Sequence, residues 1–221
     1  MGLRNDLLRI NPYNHYLLRT KRKSLRNVEP FTIMASNCLG GLLYHSYGLQ
    51  FTSPLVNTRV NSDEFVRFVL NYKAYLGEKL KFITSNEPFP VARLGDVVIN
   101  FVHYKTQEEA ESKWKERKDR IIEDRLFIIL NDCDGVSEKE IRYLDQSSLE
   151  NIIVFTSKKI FNSRSSFFLP PFEGLPCVGN TMIKSLLTGE MLVERYFDFG
   201  AWFRQDKGNC IEKYRKLISL K

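Results

Sequence analysis

The sequence predicts a three-layer α/β/α protein with a mixed, largely parallel sheet and a helical C-terminal third. Short apolar runs of strand length alternate with segments whose apolar residues recur at helical spacing, which is typical of layered α/β folds. Polar clusters follow three of the apolar runs, as they do at the ligand-binding carboxyl edge of a parallel sheet. We expect a single α/β domain over residues 30–221, preceded by a basic N-terminal helical arm over residues 1–29.

The composition is that of an ordinary globular protein with an excess of positive charge. There are 33 Lys and Arg against 26 Asp and Glu, a formal net charge of +7. This excess favours anionic partners such as phosphates, nucleotides or acidic glycans, and is equally typical of a solvated surface. The four cysteines form no CxxC pair, which predicts free thiols in a reducing cytoplasm rather than a zinc site or a disulfide framework. The sequence shows neither a signal peptide nor a spanning apolar run, so we expect a cytoplasmic location.

The N-terminal arm combines basic residues with leucines and tyrosines between residues 4 and 27. This mixture suits peripheral contact with an anionic membrane surface, or packing of the arm as a peripheral helix. Pro12 interrupts any long amphipathic face, which favours packing.

The first strand is predicted over residues 31–35, which are apolar and compact. Ser36 or Asn37 is suited to cap the helix that follows, because its side-chain oxygen can accept from backbone N–H groups. That helix is predicted to run to about Tyr47 and to stop at Gly48, a favoured residue for a left-handed cap.

A second helix is predicted from Ser62, with an aromatic stripe that belongs to the core. Strands are predicted over residues 79–84 and 97–102, and the segment joining them has no room for a crossover helix. These two strands are therefore expected to be antiparallel neighbours in a mixed sheet. Thr106 and Glu109 form a capping box that opens a highly charged helix.

Two buried strands are predicted over residues 126–130 and 151–155, with a Ser137–Glu140 capping box between them. The proline- and serine-rich segment 162–176 is too long for a turn and is interpreted as an edge strand, a lid or a substrate-facing loop. Three helices are predicted beyond it, over residues 180–189, 197–203 and 211–220.

Polar clusters at residues 36–38, 131–135 and 156–159 follow three predicted strands. If these strands are parallel, the clusters lie along one edge of the sheet. Gly40 and Gly41, beyond the first cluster, either let a ligand approach the backbone or let the helix pack closely on the sheet. The residues expected to bind phosphate or substrate are Ser36, Asn37, Gly40, Gly41, Ser157 and Lys158.

The segment Asp132-Cys133-Asp134 resembles the DxD motif of nucleotide-sugar glycosyltransferases. The resemblance implies that Asp132 and Asp134 hold Mg²⁺ or Mn²⁺ beside a diphosphate, because these ions prefer hard oxygen ligands. The alternative is an Asp-Gly turn that leads into the Ser137 cap and needs no metal.

Cys38 and His103 are the other candidate catalytic residues, beside Asp132. A helix N-terminus favours the thiolate of a nucleophilic cysteine. His103 is a candidate acid, base or phosphate contact, whereas His45 lies about two turns along the same helix as Cys38. The alternative for Cys38 is a small buried packing residue, since free cysteine is among the most buried types.

Several blocks together resemble one family. They are SNCLGGLLY (36–44), the segment 48–54, LGDVVINFVHYK (94–105) and NDCDG (131–135). Their order within residues 30–190 is similar to that of an uncharacterised bacterial family whose members are often labelled exopolysaccharide biosynthesis proteins. The resemblance implies a layered α/β domain and a link to surface-glycan genes, and transfers no catalytic residues.

The leading hypothesis is an enzyme of surface-polysaccharide assembly, a glycosyl- or related group-transferase that uses an activated, phosphate-bearing donor. One alternative is a cysteine-dependent acyltransferase or hydrolase built on Cys38 and His103. Another is a non-catalytic glycan-binding or scaffold protein that uses the aromatic residues of 161–176 and 196–203. The expected partner is an activated sugar or glycan and not nucleic acid, because recognition motifs for nucleic acids are missing from the sequence.

Overall fold

A computed structural model of the protein describes residues 11–133, 136–160 and 162–206. Contacts divide the chain into two compact units. The larger unit comprises residues 30–44 and the described residues of 50–178. The described residues of the smaller unit are 11–29, 45–49 and 179–206.

The described elements confirm the α/β class. In chain order they are α1 (Pro12–Ser24), β1 (Thr32–Ala35), α2 (Leu39–Tyr47), α3 (Ser62–Leu70), α4 (Tyr72–Gly77), β2 (Lys81–Ile83), β3 (Val91–Leu94), β4 (Val97–Asn100), α5 (Gln107–Lys118), β5 (Leu126–Asn131), α6 (Glu138–Gln146), β6 (Asn151–Thr156), β7 (Ser166–Phe168) and α7 (Phe199–Phe203). Two 3₁₀ turns, Pro170–Phe172 and Leu192–Arg195, precede α7.

The main sheet of the larger unit has four parallel strands in the order β1-β5-β6-β7. The register pairs Thr32 with Leu126 and Phe127 with Asn151. The central strands β5 and β6 are almost continuously buried, as expected for parallel strands covered on both faces. Within the segment 162–176, predicted as a loop or edge strand, residues 166–168 form the edge strand β7.

Helices cover both faces of this sheet, so the predicted three layers are confirmed. On one face, Met34, Ile128 and Val154 join a core with apolar residues of α3, α5 and α6. On the opposite face, α2 lies against β1: a Cβ added to Gly40 would stand 2.9 Å from Ala35 Cβ. Side chains alternate between the two faces because successive residues of a strand point to opposite sides.

A second sheet corrects the predicted arrangement of strands. Strands β2, β3 and β4 form a separate antiparallel sheet in the order β2-β3-β4. The predicted strands at 79–84 and 97–102 are therefore not neighbours, because β3 lies between them. Gly95 and Asp96 connect β3 to β4, and Gly95 has a φ of +62°, as a two-residue hairpin loop requires.

Most predicted helix boundaries are confirmed by their caps. Helix α2 ends at Tyr47, and Gly48 follows with a φ of +67°. The side chain of Thr106 accepts from the Glu109 N–H at the start of α5. The capping box of Ser137 and Glu140 opens α6. The helix predicted from Ser62 is divided at position 71 into α3 and α4.

The smaller unit brings both ends of the described chain together. Asn11 caps α1, and its Nδ2 also donates to the carbonyl oxygens of Leu186 and Leu187 at 2.8 and 2.9 Å. Lys21 Nζ lies 2.5 Å from Glu194 Oε1, and this ion pair is largely buried. Tyr47 packs edge-on against Phe203 with ring centroids 5.5 Å apart.

The C-terminal part contains less helix than predicted. Residues 180–189 form turns instead of a helix: Asn180 accepts from the Met182 N–H, and Lys184 pairs with Met191 as an isolated antiparallel bridge. Helix α7 is confirmed within residues 197–203, and the predicted helix at 211–220 lies outside the described residues. None of the helices in the described ranges has the length and apolar character needed to cross a bilayer.

Candidate functional site

The described residues of the three polar clusters lie at one edge of the main sheet. Strands β1, β5 and β6 are parallel neighbours, so residues that follow them lie at their common carboxyl edge. The Ser36 N–H donates to the Ile129 carbonyl at 3.0 Å, and the Asp132 N–H donates to the Phe155 carbonyl at the same distance. These bonds fix the first residue beyond β1 and β5 to the neighbouring strand.

The segment 58–62 runs along the same edge from β1 to β5. The Val60 N–H donates to the Ser36 carbonyl at 2.8 Å. At the start of α3, Ser62 Oγ donates to Asn131 Oδ1 at 3.3 Å. Arg59, immediately before Val60, is exposed, and its backbone pairs with that of Asn100 as an isolated antiparallel bridge. Sequence reasoning missed this segment, because nothing in residues 58–62 shows which strand ends they will contact.

Asp132 uses its carboxylate to tie three chain segments together. Oδ2 accepts from the backbone N–H and the hydroxyl of Ser157 at 2.6 and 2.8 Å. Oδ1 accepts from the Val178 N–H at 2.6 Å. Both Ser157 and Val178 are 1% exposed. Because hydrogen bonds to an ionised carboxylate are strong when shielded from water, Asp132 stabilises the end of β5 against β6 and residue 178.

A disulfide between Cys133 and Cys177 corrects the prediction of free thiols for these two residues. The two cysteines are 44 positions apart, and the fold brings them together because Val178 is bound to Asp132, next to Cys133. Cys38 is a free thiol, and Cys210 lies outside the described residues. The spacing of the cysteines in the sequence could not reveal this pair. The pair forms because the chain beyond β7 brings residues 177 and 178 back to the end of β5.

Of the two residues predicted to hold Mg²⁺ or Mn²⁺, the structure describes only Asp132. Within the described residues, one group of three metal-binding side chains is close enough to share an ion: Asp132, Cys133 and Cys177, whose ligand atoms lie within 4.8 Å of one another. Two of these donors are sulfur atoms, which Mg²⁺ and Mn²⁺ do not favour. The second predicted ligand, Asp134, lies outside the described residues.

Cys38 and His103 are not brought together by any hydrogen bond or ion pair in the described parts of the chain. Cys38 is partly buried, with Sγ 4.0 Å from the Thr58 carbonyl oxygen. Burial raises the pKa of the Cys38 thiol, and the positive charge of Arg59 opposes this rise only in part. His103 is exposed, in a turn beyond β4. These features support a packing role for Cys38 more than a nucleophilic one.

We expect Cys38 to react with iodoacetamide several-fold more slowly than glutathione does at pH 7.5. A raised pKa lowers the fraction of thiolate, which is the reactive form, and partial burial limits access further. The rate should increase as the pH approaches 9. Peptide mapping by mass spectrometry distinguishes Cys38 from the other cysteines. A rate equal to or above that of glutathione at pH 7.5 would restore the nucleophile hypothesis.

The residues predicted to contact phosphate differ in how far their side chains are already engaged. Asn37 Oδ1 accepts from the Leu39 N–H at 3.0 Å, which confirms its predicted place at the start of α2. The hydroxyl of Ser157 donates to Asp132, whereas Lys158 is exposed. Gly40 and Gly41 face protein atoms, because a Cβ on Gly41 would stand 2.8 Å from Asn57 Oδ1. The close-packing alternative therefore describes both glycines.

Among the described aromatic residues considered for glycan contact, half are buried, and the others are partly exposed: Phe167, Phe168, Tyr196 and Trp202. Phe197, Phe199 and Phe203 are at most 3% exposed and lie in one cluster of rings with Trp202. In the other segment, Phe172 is buried, and Phe161 is not among the described residues. The buried rings offer no face for stacking on a sugar, so a glycan contact would rely on the partly exposed ones.

The smaller unit contains a cavity of about 300 Å³ lined by residues of α1, the end of α2 and the 190–204 region. Its charged side chains are three acidic and two basic: Glu190, Glu194, Asp198, Lys21 and Arg204. This lining does not favour a phosphate group, since like charges repel. The carboxyl edge of the main sheet is therefore the better candidate for an anionic ligand.

Two comparisons with known proteins match nearly the whole described chain. The model of a family described as "Domain of unknown function (DUF1919)" matches residues 11–204. An uncharacterized protein of Haemophilus influenzae is 34% identical over 188 residues, which cover 85% of this chain and 90% of the relative. Both matches include the polar strand ends and the segment of Val178 that Asp132 binds.

Proposed function

The chain belongs to the DUF1919 family. From the site geometry we propose that it is a group transferase that binds a phosphate-bearing donor at the carboxyl edge of the main sheet. The proposed role is in the assembly of surface polysaccharide or exopolysaccharide. The donor is an activated sugar or a related anionic compound. A single observation carries the proposal: three adjacent parallel strands end in polar residues at one edge.

Charge and exposure support an anionic donor at this edge. Arg59 and Lys158 are exposed cations in the segments that follow or border β1 and β6. Arg59 is close enough to Cys38 for its charge to affect the pKa of the thiol, so it lies beside the end of β1. Guanidinium and ammonium groups both donate charge-assisted hydrogen bonds to phosphate. The backbone N–H groups at the starts of α2 and α3 add positive potential.

In this proposal Arg59 and Lys158 hold the phosphate groups, and Asn37 and Asn131 contact the remainder of the donor. Asp132 shapes the edge by keeping Ser157 and Val178 in place. His103 as acid or base, and Mg²⁺ or Mn²⁺ at Asp132 and Asp134, stay predictions from the sequence. The proposed location is the cytoplasm, where glutathione and thioredoxin would act on the Cys133–Cys177 disulfide. Peripheral membrane contact through the basic arm is part of the same proposal, and the exposed Tyr13 and Tyr16 support it.

Calorimetric titration with UDP-glucose, GDP-mannose and other nucleotide sugars, with and without MnCl₂, tests the proposal. We expect at least one donor to bind. Substituting both cations, Arg59→Ala with Lys158→Ala, should weaken this binding by tenfold or more, because each charge-assisted hydrogen bond contributes about 1.5–3 kcal/mol.

The matched control is Lys81→Ala with Arg93→Ala. These two exposed residues are opposite each other in the separate antiparallel sheet, and their loss changes the net charge equally. The control should bind the donor as the unmodified protein does. The absence of heat with every donor, or an equal loss of affinity in the control, would reject the proposed site.

A further inference from the structure

We propose that Asp132, Cys133 and Cys177 form a Zn²⁺ site when the protein is reduced, and that the Cys133–Cys177 disulfide closes this site. The inference concerns the redox state of the sheet edge and does not depend on the proposed transferase activity. Among the described residues, Asp132, Cys133 and Cys177 form the one group of three such side chains whose ligand atoms all lie within 4.8 Å of one another.

The chemistry of the three donors selects zinc. Two thiolates and one carboxylate are a borderline-soft set, and Zn²⁺ accepts both sulfur and oxygen ligands in tetrahedral geometry. Three protein ligands leave the fourth position for water, as in sites where zinc is accessible to small molecules. Both cysteines and Asp132 are partly exposed, so a metal ion can reach them from solvent.

Hydrogen bonds that do not involve the disulfide keep the ligands in place. The Val178 N–H is bound to Asp132 Oδ1 at 2.6 Å, so Cys177 stays beside Cys133 after the S–S bond is broken. The Ser157 N–H and hydroxyl both bind Oδ2. Oδ1 accepts one hydrogen bond, from Val178, and keeps a second lone pair for a metal. The bonds from Ser157 to Oδ2 fix the orientation of the carboxylate. Such outer hydrogen bonds are usual for metal-binding carboxylates.

The reaction that opens the site is thiol–disulfide exchange. A thiol reductant such as glutathione supplies two electrons, the S–S bond breaks, and each cysteine sulfur takes up a proton. Two reductant thiols are oxidised to one disulfide. Zn²⁺ then binds the two sulfurs as thiolates and releases their two protons to solvent. Oxidation reverses these steps and expels the ion, since a disulfide sulfur offers no thiolate.

The test measures Zn²⁺ and Co²⁺ binding to the full chain in two redox states. One sample is reduced with dithiothreitol and freed of it under anaerobic conditions, and the other is oxidised with diamide. The reduced protein should bind one Zn²⁺ per chain and gain thermal stability, whereas the oxidised protein should do neither. The Co²⁺ complex of the reduced protein should show the charge-transfer absorption of thiolate ligation. This comparison needs no variant and so does not depend on the folding of one.

Two variants assign the site. In the reduced state Cys133→Ser with Cys177→Ser should bind Zn²⁺ at least tenfold more weakly and lose the charge-transfer band. The matched control, Cys38→Ser with Cys210→Ser, also removes two thiols and should bind as the unmodified protein does. Loss of binding in the control, or equal Zn²⁺ binding in the reduced and oxidised protein, overturns the inference.

Discussion

Asp132→Ala is expected to lower the free energy of unfolding by about 3–5 kcal/mol, the largest effect we predict for a single side chain. The carboxylate accepts three short hydrogen bonds, two from Ser157 and one from Val178. Hydrogen bonds to charged groups contribute about 1.5–3 kcal/mol each, and buried donors left without a partner add a desolvation cost. The contributions are not additive, because the three bonds share one side chain.

Urea unfolding of the oxidised protein measures this effect. The matched control is Asp63→Ala, which removes a carboxylate paired with the exposed Arg67 at 3.4 Å. Surface ion pairs of this kind contribute about 0–1 kcal/mol, so the control should unfold near the unmodified protein. A similar decrease in the free energy of unfolding in both variants would show that Asp132 stabilises the protein no more than an exposed carboxylate does.

The second large effect is expected from the disulfide. Replacing Cys177 with serine, or reducing the protein without metal, should lower the free energy of unfolding by about 2–4 kcal/mol. The bond closes a loop between residues 44 positions apart, and its loss enlarges the set of unfolded conformations. The Cys38→Ser variant is the control, because its thiol is free and should matter little to the loop.

Urea unfolding with and without dithiothreitol measures the effect, and alkylation followed by mass spectrometry verifies the redox state. Cys177 adjoins Val178, which Asp132 binds, so both interactions hold one chain segment at the end of β5. We therefore expect Asp132→Ala with Cys177→Ser to lose less stability than the sum of the single variants. Identical unfolding midpoints with and without reductant would contradict this account.

Local patterns in the sequence predicted the parts of the fold that depend on neighbours along the chain. The capping box of Ser137 and Glu140 and the glycine stop at Gly48 rely on interactions within a few residues, and both are confirmed. The buried strands β5 and β6 are confirmed because long apolar runs fit a doubly covered parallel sheet.

The errors have equally physical causes. The prolines before Val91 concealed strand β3, although Gly95-Asp96 is a sequence signal for a hairpin. Asn180 indicated a helix cap, but its side chain closes a local turn at Met182, since asparagine competes with the backbone in this way.

For the candidate site, the sequence predicted which strand ends would meet, and not what their side chains would bind. Asp132 is a case in point: the DxD resemblance suggested a metal ligand, whereas its carboxylate accepts bonds from residues 157 and 178. Neither partner is local in the chain. The Cys133–Cys177 disulfide and the position of Arg59 likewise depend on contacts between residues that are far apart in the sequence.

The discontinuous smaller unit constrains the order of events during synthesis. Its α1 helix emerges early from the ribosome, but the partner of Lys21 is Glu194, which is made 173 residues later. The larger unit contains no residue beyond position 178, so all of its residues are made before Glu194 and we expect it to fold first. Until Glu194 has been made, Lys21 lacks this partner, so residues 12–24 cannot take their place in the smaller unit. Contacts between residues so distant in sequence form slowly. We therefore expect the association of the N- and C-terminal segments of the smaller unit to be the last step of folding.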